Sequence, residues 1–221
     1  MRENAAVTAG MFALPLYAIL LVVGTLTPQP DQVTDPEGWA RFVSTDSYLV
    51  QHVATNVVGS VLVILGTFAL AVAVGSRAAT TGMVLSVTGQ VLFTVPGVIS
   101  TFATPAIGQA YLRGNRDVLT LQFADVMTVI TLLAVLLTVA GGIVLGIAIA
   151  RSGTFARWTG YGWAAAAVIF YLLGAALGMA TTGASLPTQP VGAALMAVAG
   201  AAMAWRAARP AVQPSPTGTR S

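Results

Sequence analysis

A helix of about 20 apolar residues spans the hydrocarbon core of a bilayer, and this chain contains six such stretches. They run over about 5–26, 48–75, 80–102, 118–150, 155–180 and 190–208. The uncharged part of the fourth begins at Val126, and the sixth reaches spanning length only if it continues to Ala208. None of the six alternates apolar with polar residues, and all are rich in Ala, Gly and Leu, which argues against strands. The expected fold is all-α: a polytopic membrane helical bundle of six transmembrane helices over residues 1–209. A Pro-, Ser- and Thr-rich tail, 210–221, is expected to be disordered.

Charge supports a bilayer as the solvent. Only 8% of the residues are charged and 56% are hydrophobic, against about 25% charged in a soluble domain. That leaves too little polar surface to coat a water-soluble globule. The ten Arg residues stand singly at segment ends, without Lys and without a basic stripe interleaved with aromatics, so nucleic acid is excluded as a partner. The Ala, Gly and Arg usage points to a high-GC bacterium and hence to a plasma membrane.

Orientation follows from the loops. The termini and even-numbered loops carry Arg2, Arg77, Arg151, Arg157, Arg206, Arg209 and Arg220, with Glu3 as their only acid. The odd-numbered loops carry Arg41, Arg113 and Arg116 against six acids. Arginine marks the cytoplasmic side, so both termini are expected in the cytoplasm. Trp158, Trp163 and Trp205 would then lie at the cytoplasmic interface. The first segment lacks the basic n-region and small-residue cleavage site of a signal peptide, so it is expected to be retained.

Between the spans, Pro28, Pro30 and Pro36 break the first long loop, and Trp39, Phe42 and Val43 are spaced for a short interfacial helix. Pro15 and Pro96-Gly97 should bend their helices. The stretch Thr104–Leu112 reads equally as a helical extension beyond Pro105, a re-entrant segment or a loop. Small residues recur every four positions at Gly142 and Gly146, Gly174 and Gly178, and Ala193, Ala197 and Ala201. Such faces let helices approach closely. They fit packing within one bundle better than a homo-oligomer interface.

Polar residues within the spans are the candidate site. His52, Asn56 and Ser60 share one helix face at i, i+4, i+8. Gln122, Asp125, Thr128 and Thr131 form a rough stripe at the start of the fourth segment, and Ser86, Gln90 and Thr94 form one in the third. An Asp at membrane depth costs about 2.5–3.5 kcal/mol on insertion scales, so such groups turn inward and find partners. Asp125 is the one acid near the hydrocarbon boundary and His52 the one imidazole. The expectation is that they face each other as the floor of an outward-opening cavity, with Asn56, Gln90 and Gln122 in support. The plainer alternative has His52 at the headgroups and Asp125 favoured simply by its helix N-terminus.

Other chemistry lacks the residues it needs. Without cysteine there is no disulfide, thiolate metal site or Cys nucleophile. One His leaves a first-row metal or a b-type haem short of ligands. With no lysine a retinal Schiff base cannot form. There is no HExxH, P-loop or dinucleotide fingerprint. No metal and no cofactor is expected.

The pattern His52-x-x-x-Asn56-x-x-Gly59-Ser60, continuing to Leu65-Gly66-x-x-Ala69-Leu70, resembles the second helix of uncharacterised bacterial integral membrane proteins of the DUF4386-like kind. Thr101-Phe102-Ala103-Thr104-Pro105-Ala106-Ile107-Gly108 resembles them too. The resemblance covers about a third of the chain, implies a small multi-helix membrane protein and supplies no catalytic residues.

Three functions fit. The preferred one is non-enzymatic: binding or passage of a small or lipid-like molecule through a polar cavity in the outer leaflet, with His52, Asn56, Gln90, Gln122 and Asp125 as binding residues. The second is a membrane-embedded acid/base enzyme on an isoprenoid or lipid, with His52 and Asp125 as catalytic candidates. The third is a structural or accessory membrane subunit.

Overall fold

The computed structural model describes residues 2–121, 125–182 and 185–209. Seven helices account for most of them, and no strand occurs among the described residues. They are α1 (Arg2–Thr25), α2 (Pro36–Val43), α3 (Asp46–Val74), α4 (Arg77–Leu112), α5 (Asp125–Ser152), α6 (Arg157–Thr181) and α7 (Thr188–Ala208). All but α2 are long and apolar enough to cross a membrane, so the chain is a multi-pass membrane protein.

The six spans form a ring in chain order. Each packs on its sequence neighbour, and α7 closes the ring against α1. The outside of the ring is apolar: Val61, Leu65, Phe68 and Val72 repeat at helical spacing on α3 and are all exposed. Inside sit Met11, Leu14, Leu70, Leu145, Ile149, Met196 and Met203, fully buried. With apolar side chains on both faces, what separates inside from outside is residue size and polarity.

Glycine sets the closest approach. A Cβ on Gly89 of α4 would come within 2.5 Å of the Thr138 backbone nitrogen and 2.8 Å of the Ala134 carbonyl oxygen on α5. Gly82 lies equally close to Leu145, and Gly141 to Ser86, so α4 and α5 meet backbone to backbone. The small-residue pairs singled out in the sequence are used in the same way. Gly146 packs on Gly160 and Ala164 of α6, Gly142 on Ala167, and Gly174 on Gln189 of α7.

The spans differ from the sequence expectation at their ends. α4 does not stop at Phe102 but continues through Pro105 to Leu112. Its helical ladder is rescued by a π-helical segment, Ile99–Ala103, just before the proline. A proline ring clashes with the carbonyl four residues back and offers no N–H; the wider π turn absorbs both defects. The fourth span is described over Asp125–Ser152 and does not include Val118, because Arg116–Thr120 forms a separate 3₁₀ turn. The 210–221 tail lies outside the described residues.

The extension of α4 gives α2 a surface to pack on. Asp35 caps α2 by accepting the Gly38 N–H at 2.9 Å, and Pro36 occupies its first turn, where a missing N–H costs nothing. The short helix expected around Trp39, Phe42 and Val43 is present, and one face of it packs on protein. Trp39, Ala40 and Val43 are buried with Tyr48, against Ile107, Tyr111 and Leu119. Gly108 allows this contact, since a Cβ there would lie 2.6 Å from Val43 Cγ2.

Candidate functional site

A ladder of polar groups runs from the loop-capped end of the bundle to its centre. At the top, the Tyr48 hydroxyl donates to the Ser100 carbonyl at 3.1 Å. His52 stacks on the Tyr48 ring, with centroids 3.7 Å apart, and its Nδ1–H donates to the Tyr48 carbonyl at 2.9 Å. That bond fixes the neutral tautomer with Nε2 as an acceptor. One turn deeper, Asn56 Nδ2 donates to the Gly97 carbonyl at 3.3 Å and to Thr101 Oγ1 at 3.1 Å. Ser60 Oγ donates to the Asn56 carbonyl at 2.6 Å and accepts from Gln90 Nε2 at 3.3 Å. At the bottom, the Tyr171 hydroxyl donates to Gln90 Oε1 at 3.2 Å and is hydrogen-bonded to the Tyr17 hydroxyl.

Four spans build this ladder: α1 with Tyr17, α3 with His52, Asn56 and Ser60, α4 with Gln90 and Thr101, and α6 with Tyr171. A buried amide or hydroxyl without a partner costs about 1–3 kcal/mol. The ladder satisfies each of its buried groups across helices, which ties four spans into one arrangement.

Three of the six spans carry a π-helical segment in the half away from the termini. They are Val53–Val58 in α3, Ile99–Ala103 in α4 and Val168–Ala176 in α6. Asn56, Thr101 and Tyr171 lie inside them. A π segment widens the helix, leaves backbone groups available to other partners, and recurs at functional sites. Here the Gly174 carbonyl accepts the Leu186 N–H at 2.9 Å.

Below the ladder is a cavity lined from all six spans, including Tyr17, Thr67, Gln90, Thr138, Trp163 and Met196. Gln90 lies about 20 Å along α4 from Arg77, at 1.5 Å per residue, so the cavity is near mid-membrane rather than at the surface. The centre of a water-sized sphere can move within about 20 Å³ of it, which is room for about one water.

The sequence-derived residues are only partly brought together. Asn56 and Gln90 join the ladder through Ser60, and His52 sits above them. The expected pairing of His52 with Asp125 is not made: among the described residues neither takes part in an ion pair. Asp125 is exposed at the first turn of α5, where its charge suits the helix dipole. Thr128 is also exposed, and Thr131 bonds its own Met127 carbonyl at 2.8 Å. Gln122 lies outside the described residues. Trp163 is not at the interface but 5% exposed on the cavity wall, whereas Trp158 and Trp205 are 51% and 63% exposed.

Tyr17 and Tyr171 were not singled out by the sequence. Each stands alone in an apolar run with no polar residue at i±4, and their partnership spans 154 positions. The only local hint is that a membrane-depth tyrosine away from a span end needs a partner for its hydroxyl. No family model, curated protein or solved structure matches this chain.

Proposed function

We propose that this protein binds a small neutral amphiphile, lipid-like in body and bearing a hydroxyl or amide, in the half of the membrane away from its termini. The observation that carries this reading is the polar ladder descending from His52 to Tyr171, with a π segment in each of its three principal helices. His52 Nε2 is an acceptor without a partner among the described residues, at the level where such a molecule would present its polar end. The cavity is too small for a lipid-like body, so that body would lie along the apolar exterior while its polar end exchanged hydrogen bonds with the ladder. The groups concerned are His52, Asn56 and Gln90. Asp125 would act only at the rim.

The same reading places the protein in a bacterial plasma membrane with both termini in the cytoplasm, on the arginine distribution. Kinship with DUF4386-like proteins rests on the resemblance around His52 and Pro105. The accessory-subunit reading draws nothing from Gly142, Gly146 and Gly174, which are occupied within the chain.

The test is photolabelling in vesicles with a long-chain alcohol carrying a diazirine near its hydroxyl. Labels are expected on α3 and α4 around His52, Asn56 and Gly97, reduced in His52→Phe and competed by unlabelled alcohol. Uniform labelling of every lipid-facing helix, unchanged by the substitution, would sink the proposal.

A further inference from the structure

Serine and threonine hydroxyls in membrane helices normally bond the backbone carbonyl three or four residues back. This chain follows that habit: Thr25, Thr55, Thr131, Ser152 and Thr159 all do so. Among the described helical Ser and Thr hydroxyls that are buried or half-buried, only those of Thr67, Ser86 and Thr138 make no hydrogen bond at all. Thr67 is 2% exposed and Thr138 7%. They come from three different helices, α3, α4 and α5, and all three line the mid-membrane cavity.

Three unpartnered hydroxyls converging on one small space are costly if the space is dry, at about 1–3 kcal/mol each. A water needs roughly 10–15 Å³ of space for its centre and two to four polar partners. The cavity offers about 20 Å³. Gln90 and the Tyr17–Tyr171 pair, also on the wall, supply further donors and acceptors.

We infer that the cavity is a built binding site for one water molecule, held by Thr67, Ser86 and Thr138 beside Gln90. The site completes the polar network. No side chain of α5 hydrogen-bonds another helix among the described residues; Thr131 bonds the Met127 carbonyl, and Ser152 bonds the Ile149 carbonyl and the Thr154 N–H of the following loop. The bound water is therefore the hydrogen-bonding link between α5 and the ladder on α1, α3, α4 and α6. This inference is independent of whether an amphiphile binds above.

The experiment uses the full chain in lipid nanodiscs. Water-edited solid-state NMR measures magnetisation passing from water to the Thr67 and Thr138 methyl groups, and pressurised xenon probes the same cavity. Transfer to both methyls is expected in the wild type, kept in Thr67→Ser at Thr138, and lost at Thr138 in Thr67→Val. Xenon should not occupy the wild-type cavity, because apolar cavities stay dry and take xenon while a polar one holds water. Absence of transfer together with xenon binding in the wild-type protein would overturn the inference, whatever the variants do.

Discussion

The hydroxyls of Tyr17 and Tyr171 meet at the centre of the bundle and hydrogen-bond each other, joining the first span to the fifth. Tyr171 also donates to Gln90, so one phenol serves two helices at once. Tyr171→Phe strips a partner from both Tyr17 and Gln90. The expected loss is about 1–3 kcal/mol, the cost of leaving buried polar groups unpaired. Adding Tyr17→Phe removes one of the orphans, so the double variant should lose less than the sum of the two singles. Reversible unfolding in mixed micelles measures this, and strict additivity would show that the two phenols are not coupled.

Asn56 donates from α3 to the backbone and side chain of α4. Asn56→Leu is expected to cost about 0.6–1.7 kcal/mol, the range measured for hydrogen bonds between membrane helices. Asn56→Asp should cost more when ionised, because a carboxylate cannot donate to the Gly97 carbonyl and an ionised Asp inside the membrane is penalised, by up to about 2.5–3.5 kcal/mol at the helix centre. The order Leu milder than Asp is the check, read by the same unfolding assay at neutral pH.

Gly89 and Gly162 make a matched pair. A Cβ at Gly89 runs into the backbone of α5, whereas one at Gly162 has nothing closer than 3.7 Å. Gly89→Ala should destabilise by about 1–3 kcal/mol, as overpacking does. Gly162→Ala should be neutral or stabilise by up to about 1 kcal/mol, since Ala is the better helix former. A Gly89→Ala variant as stable as the wild type would mean that α4 and α5 are not in backbone contact.

The Asp31 carboxylate in the first loop accepts the Val33 and Thr34 N–H groups at 2.7 and 2.9 Å. Backbone hydrogen bonding, first from Thr34 and then from Val33, holds its pKa below the usual carboxylate value. A folded pKa below the unfolded one means that the turn is fully stabilised above about pH 3.9 and loosens as pH falls through the lowered folded value. An NMR titration of the Asp31 carboxyl should give a midpoint below that of an unstructured Asp, and Asp31→Ala should disorder Val33 and Thr34 at every pH.

Topology is open to a direct test. With arginines marking the cytoplasmic side, a fluorescent protein fused after Ala208 should fold and fluoresce, and alkaline phosphatase at the same point should be inactive. The opposite pair of results would invert the bundle.

The six spans were legible because length and apolarity alone decide what crosses a bilayer. The candidate site was legible where polar residues repeat along one helix: the face His52, Asn56 and Ser60 lies on the ladder, and Ser86 and Gln90 line the cavity. What could not be read was convergence from different helices. Tyr17 and Tyr171 look like isolated aromatics until α1 and α6 are packed, and Thr67 and Thr138 look like any helical threonine. Asp125 misled because charge at a segment boundary suggests a buried partner, while an exposed helix start explains it as well. Pro105 left the end of its span open for a different reason. Proline ordinarily ends a helix, and nothing local announces the π turn that lets α4 continue.

That π turn has a counterpart in α3, and together they isolate a small body. α2, the start of α3 and the end of α4 share their own core around Trp39, Val43 and Tyr48. Two helices lead directly from this body into the membrane core, and both pass through a π segment, Val53–Val58 in α3 and Ile99–Ala103 in α4. Each segment holds surplus chain, and taking up one residue would turn everything beyond it by about 100°. A π segment thus separates the headpiece from the core on both helices, and Ser60 and Gln90 lie on the core side of both. Motion of the headpiece would change what His52 and Tyr48 meet without disturbing the Ser60–Gln90 bond beneath.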